Sequence, residues 1–179
     1  MIDPITARTW SYRALFFALV LVLAIARLIP TGGAAGGLPG PDLILALTCA
    51  WVLRRPAYVP AWLVVAVFLP LDLMLHQAPG LGALAVLLVT EFLRRRQALS
   101  RALPFSLEWA LVAVVLLVAV AGMQLVLGLF FLPRPPLGLD VIRAIFTAAV
   151  YPLAVLFTVY VCKLRKASPG EVDALGARL

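Results

Sequence analysis

The chain has 179 residues, 64% of them hydrophobic and 13% charged, with a mean hydropathy of +1.09. A water-soluble domain carries about 25% charged residues, so this mixture excludes a packed core inside a wettable surface and reads as an integral membrane protein with no room for an appended soluble domain. The formal charge is +7, but Lys and Arg sit in short clusters beside apolar runs, a pattern of membrane topology and anionic-lipid contact rather than nucleic-acid binding.

A helix needs about 20 mostly apolar residues to cross the hydrocarbon. Six stretches qualify or come close: 13–29, 42–55, 58–75, 79–94, 106–132 and 139–162. No alternating barrel pattern appears, so the expected fold is all-α with six transmembrane helices. Residues 1–12 are then a cytoplasmic N-terminus, 13–162 one membrane domain, and 163–179 a cytoplasmic tail. The second and fourth spans are short and must be tucked among longer neighbours or lie where the bilayer is thin. Two alternatives stay open. Span 2 could re-enter, which would move Arg54 and Arg55 to the other side. Span 1 could be a signal peptide cleaved near Ala24-Ile25-Ala26.

With both ends inside, all but Arg27, Arg134 and Arg143 of the 15 basic residues face the cytoplasm, as the positive-inside rule requires. Trp10, Trp51, Trp62 and Trp109 fall near the inner boundaries, where amphipathic rings are expected to anchor. The segment 30–41 is rich in Gly and Pro and reads as an irregular outer loop. In the tail, Ser168, Pro169 and Glu171 have the spacing of a capped helix start. Cys49 and Cys162 lie within or at the end of apolar runs and read as buried free thiols.

The third span carries a proline, Pro70, and a carboxylate, Asp72. A central carboxylate costs about 2.5–3.5 kcal/mol to insert, while each Leu, Ile, Val or Phe returns about 0.3–0.6. Ten such residues let the helix insert regardless, and Asp72 lies near the outer end. Pro70 predicts a kink, and His76 follows Asp72 by four residues, on the same face. Other polar ends lie at the same level: Arg27 ends span 1, Asp42 begins span 2, and Asp140 and Arg143 begin span 6. These groups either pair to stitch helices together or form a patch for a partner or substrate. Deeper polar groups are few, namely Gln124, Thr147 and Tyr151. Ala144 and Ala148 permit close helix contact. Glu91 with Arg94 and Arg95 reads as a solvated cluster at a cytoplasmic helix end.

No Gly-x-Ser-x-Gly, P-loop, paired mid-membrane aspartates or His/Cys/Glu cluster is present, and the four serines lie far from His76. A nucleophile, a base and an orienter cannot be assembled from these residues. An enzyme is not expected, nor is a metal or other cofactor.

Within 41–95, "PDLILALTCAWVLRRPAYVP" and "LPLDLMLHQAPGLGALAVLLVTEFLRRR" resemble the rod shape-determining protein MreD family. The resemblance rests on Pro41-Asp42 opening span 2, Trp51 and Arg55-Pro56 closing it, Asp72-Leu73 late in span 3, Pro79-Gly80 opening span 4, and Tyr151-Pro152 in span 6. Phe68 stands where the family often has a glycine. The resemblance implies a non-enzymatic scaffold of the bacterial inner membrane. Its implied partners are the bitopic protein MreC and the elongation complex of MreB, RodA and its transpeptidase. The implied fold is that of the six-helix substrate-binding subunits of energy-coupling-factor transporters. The competing reading is such a subunit itself, binding a vitamin-like molecule. A lipid-modifying enzyme is a more distant third.

Overall fold

The computed structural model describes residues 4–28, 39–74, 80–102 and 104–164. His76, Pro79, most of the loop 30–41 and the capped tail beginning at Ser168 lie outside the described residues.

Among the described residues six α-helices follow one another: α1 (Pro4–Leu28), α2 (Leu43–Arg54), α3 (Ala61–Met74), α4 (Leu81–Ala102), α5 (Phe105–Leu129) and α6 (Leu137–Tyr160), with one 3-10 turn at Pro56–Tyr58. The described residues contain no strand. Proline sets several of the starts. Pro60, Pro104 and Pro136 each accept the first backbone bonds of the helix that follows, and their fixed φ suits that position. Arg55, held before Pro56 at φ −145° and ψ 83°, ends α2 because the residue before a proline is pushed out of the helical region. At the end of α5 the Leu132 N–H bonds the Leu127 carbonyl, the six-to-one bond of a Schellman cap. The left-handed residue within that cap is Phe131, at φ +53°, where glycine is usual.

α2 is the centre. Every residue from Ala46 to Arg54 is buried, and α1, α4 and α6 pack around it. A helix that is apolar on all sides belongs in a core. At 12 residues it is about 18 Å long, well short of the roughly 30 Å hydrocarbon thickness. α3 packs on α4, and α5 on α6 and α4. The largest fully buried side chains include Trp51, Tyr151, Phe16 and Leu53.

The all-helical expectation holds, but the helices are unequal. Among the described residues three are long and apolar enough to cross a membrane: Thr6–Arg27 within α1, Phe105–Leu129 and Leu137–Tyr160. α2 and α3 are shorter, and α4 extends eight residues past the apolar stretch that ends at 94, through a charged segment. α1 likewise begins well before residue 13. Hydropathy marks the apolar part of a helix, whereas backbone hydrogen bonding continues into its polar ends. On α5 and α6 the outward side chains, such as Val118, Leu125 and Leu153, are exposed hydrophobics.

Two expectations are corrected. Trp51 is not a boundary anchor. Its ring is fully buried against Phe16 and Tyr12, because α2 ends inside the bundle rather than at its surface. Arg54 is likewise buried and is no loop charge. Trp10 and Trp62 do sit at the periphery, half-exposed, with the Arg13 guanidinium 5.0 Å and 5.9 Å from their ring centres.

Both internal prolines stay within helix. α3 runs from Ala61 to Met74 with Pro70 on an exposed face. In α6, Pro152 cannot bond the Ala148 carbonyl four residues earlier, and the Trp109 indole donates to that carbonyl instead, at 2.7 Å. Trp109→Phe is expected to lower stability by about 1–3 kcal/mol, the cost of an unsatisfied buried acceptor. Pro152→Ala restores the backbone donor, so in that background the same change should cost less. A double-mutant cycle read by thermal unfolding checks this coupling.

Candidate functional site: three polar junctions

The polar residues singled out from the sequence fall into three junctions, each joining different helices.

The first joins α1, α2 and α6. Asp42 is the N-cap of α2, its Oδ1 accepting from the Leu45 N–H at 3.1 Å. Its other carboxylate oxygen lies 3.2 Å from Arg27 Nη2 on α1. The Asp42 N–H donates to Thr147 Oγ1 at 2.8 Å, and that hydroxyl donates to the Arg143 carbonyl at 2.7 Å. Arg143 thus enters the junction through its backbone. A short way along α6, Asp140 accepts from Gln124 Nε2 at 2.9 Å, and the same amide nitrogen donates to the Pro135 carbonyl. Arg27 and Asp42 form an ion pair of the kind the stitching alternative describes, whereas Asp140 is held by the amide of Gln124, read from the sequence as a deeper polar group. Carboxylates at helix N-termini also complement the helix dipole.

The second joins α3 to α4. Asp72 is buried, and its Oδ2 accepts from the Ala83 N–H at 2.8 Å. The carboxylate therefore caps the first turn of a different helix, satisfying a donor that has no intrahelical partner. Two glycines make this approach possible. Gly80 has φ +84°, a backbone that side chains rarely adopt. Gly82 lies against the carboxylate so closely that a Cβ there would overlap Asp72 Oδ1. The sequence pointed to Gly80 but not to Gly82. The available signal was the Gly-x-Gly spacing at a helix start, which commonly marks close approach of an anion.

The third joins α2, α5 and α6. Arg54 Nη1 lies 3.4 Å from Glu108 Oε1, with the two side chains 5% and 0% exposed. The Tyr151 hydroxyl donates to the same oxygen at 2.7 Å. Gln97 of α4 donates to the Arg54 carbonyl, so four helices meet here. Tyr151 was anticipated through its pairing with Pro152, whereas Glu108 was not singled out. Its signal was an acid in the first turn of a 25-residue apolar helix. Arg55 and Pro56 form the adjoining exit from α2. Nearby, Arg94 donates to the Val59 carbonyl at 2.7 Å and Arg13 to the Ala57 carbonyl at 3.1 Å. Arg13, Arg54 and Arg94 therefore gather at one end of the bundle, and Arg27 and Asp42 mark the other.

These junctions generate two expectations. Gly82→Ala should lower the unfolding temperature, because the carboxylate must move. Gly122→Ala, whose Cβ meets nothing within 4 Å, should leave it unchanged or raise it by the helix preference of alanine. Equal shifts for the two would remove the Asp72 junction. Glu108→Leu or Arg54→Leu alone should cost about 3–5 kcal/mol by stranding a buried charge, and the double replacement should cost less than the sum. Denaturant titration of the four proteins measures this. No family model, curated protein or solved structure matches the chain.

Proposed function

We propose that this chain is a multi-pass scaffold of the bacterial inner membrane, related to the MreD family, whose six helices hold an MreC-like bitopic protein beside the cell-elongation machinery. The observation that carries the reading is the placement of the residues behind the resemblance. Asp42 caps α2, Trp51 fills its core, and Arg55-Pro56 ends it; Asp72 and Gly80 build the start of α4, and Tyr151 closes the Arg54–Glu108 junction. These are side chains on which the helix arrangement depends, and a reproducible arrangement is what a scaffold must present.

Three long apolar helices and apolar outward faces on α5 and α6 support the membrane location. The separation of Arg13 and Arg94 from Arg27 and Asp42 at opposite ends supports the inside-facing assignment of the basic loops. α2 and α3 cross in this reading within the shelter of their longer neighbours, as short spans in a six-helix bundle like that of the transporter subunits.

The test is mild-detergent purification with cross-linking, followed by identification of bound proteins. An MreC-like single-pass protein should co-purify, and Asp72→Asn should reduce its recovery or the abundance of the scaffold. Recovery of a cytoplasmic ATPase module, with thermal stabilisation by a vitamin, would instead assign the chain to transport. Unchanged abundance, recovery and cell shape in Asp72→Asn would remove the role given to that carboxylate.

A further inference from the structure

Between α4 and α5 runs an apolar groove of about 680 Å³, extending from Leu81 and Val126 at one end to Phe92, Arg95 and Leu111 at the other. Gly122, Ala85 and Ala119 lie along it, and their small side chains keep it open. None of the three junctions enters it.

The span from Leu81 to Arg95 is about 21 Å at 1.5 Å per helical residue. A volume of 680 Å³ spread over that length leaves room for an extended hydrocarbon chain along the whole groove.

The groove's mouth selects the charge of what enters. Its Arg95 end lies at the basic end of the bundle, where the neighbouring Arg94 is bonded to the Val59 carbonyl. The Arg95 side chain is 79% exposed. Arg96 is exposed beside it, its guanidinium 5.5 Å from the Phe92 ring centre. Glu91 pairs with Arg94 and Arg95, which leaves the three arginines in net positive excess. An apolar groove that ends at exposed arginines is complementary to an amphiphile with an anionic head. Its head would meet the cations while its tail replaces lipid contacts along α4 and α5.

We infer that this groove binds one acyl chain of an anionic phospholipid from the cytoplasmic leaflet, with Arg95 and Arg96 holding the headgroup. The inference rests on the membrane reading above and adds a specific lipid site to it.

The test is native mass spectrometry of the purified full chain in mixed micelles holding equal amounts of phosphatidylglycerol and phosphatidylcholine with the same acyl chains. One phosphatidylglycerol should be retained in preference to phosphatidylcholine. Arg95→Gln should lower that retention about fivefold, the effect of one basic side chain near an anionic surface, and leave phosphatidylcholine unchanged. Gly122→Trp fills the slot from a position whose Cβ meets nothing within 4 Å, and should abolish retention while leaving the unfolding temperature intact. Equal retention of the two lipids overturns the proposal, as does undiminished phosphatidylglycerol on Gly122→Trp. A protein helix cross-linking to position 122 in place of lipid overturns it too. Alkaline carbonate extraction separates the two levels. A chain released by carbonate refutes the membrane reading itself, whereas one that stays in the membrane yet retains no phosphatidylglycerol refutes the groove alone.

Discussion

The structure depends on how the two ends of α2 are satisfied. A helix buried on all sides cannot turn its terminal N–H and carbonyl groups to water, and in an apolar surrounding each unsatisfied group costs several kcal/mol. Asp42 meets this at the first turn and is itself held by Arg27 and Thr147. At the last turn, the Arg55 N–H bonds the Trp51 carbonyl and Gln97 donates to the Arg54 carbonyl. The groups that complete these ends come from α1, α4 and α6. Capping α2 and assembling the bundle are therefore the same event.

Proline shapes the bundle in a related way. At Pro60, Pro104 and Pro136 it opens helices where its missing N–H costs nothing. At Pro152 it removes a donor in mid-helix, and Trp109 supplies the replacement from α5. A local backbone defect becomes an interhelical contact, tying α5 to α6 at a fixed height. The tryptophan read from the sequence as a membrane anchor has its polar atom turned inward, toward that carbonyl.

The helices were legible in the sequence from their apolar runs, and Asp42 and Asp72 stood out because a charge in such a run is conspicuous. What each charge does was not, since that depends on which helices become neighbours. Asp72 was read beside His76, which lies outside the described residues, and the Ala83 N–H on the next helix, where Gly82 leaves room, was not foreseen as a donor to its carboxylate. Arg54 and Arg55 looked like one basic loop, yet Arg54 points into the core toward Glu108. Adjacent residues at a helix end diverge by about 100° around the axis, so one can meet a buried carboxylate while the next leaves the helix. Trp51 was misplaced for a similar reason: position along a short, central helix says little about depth in the protein.

The Arg54–Glu108 pair adds a constraint that apolar packing alone does not provide. Burying two charges costs several kcal/mol per ion, and a well-packed apolar pair would often serve stability as well or better. Its distinctive effect is geometric. Leu and Val side chains can slide past one another by a fraction of a turn with little penalty, but a carboxylate shared by an arginine and the Tyr151 hydroxyl cannot. In the middle of this bundle the contacts are nearly all of the first kind. Registry is then set by the polar contacts, the Trp109–Ala148 bond at the middle of α6 among them. A bundle pinned by such contacts and apolar elsewhere holds one helix arrangement, and with it one outer surface.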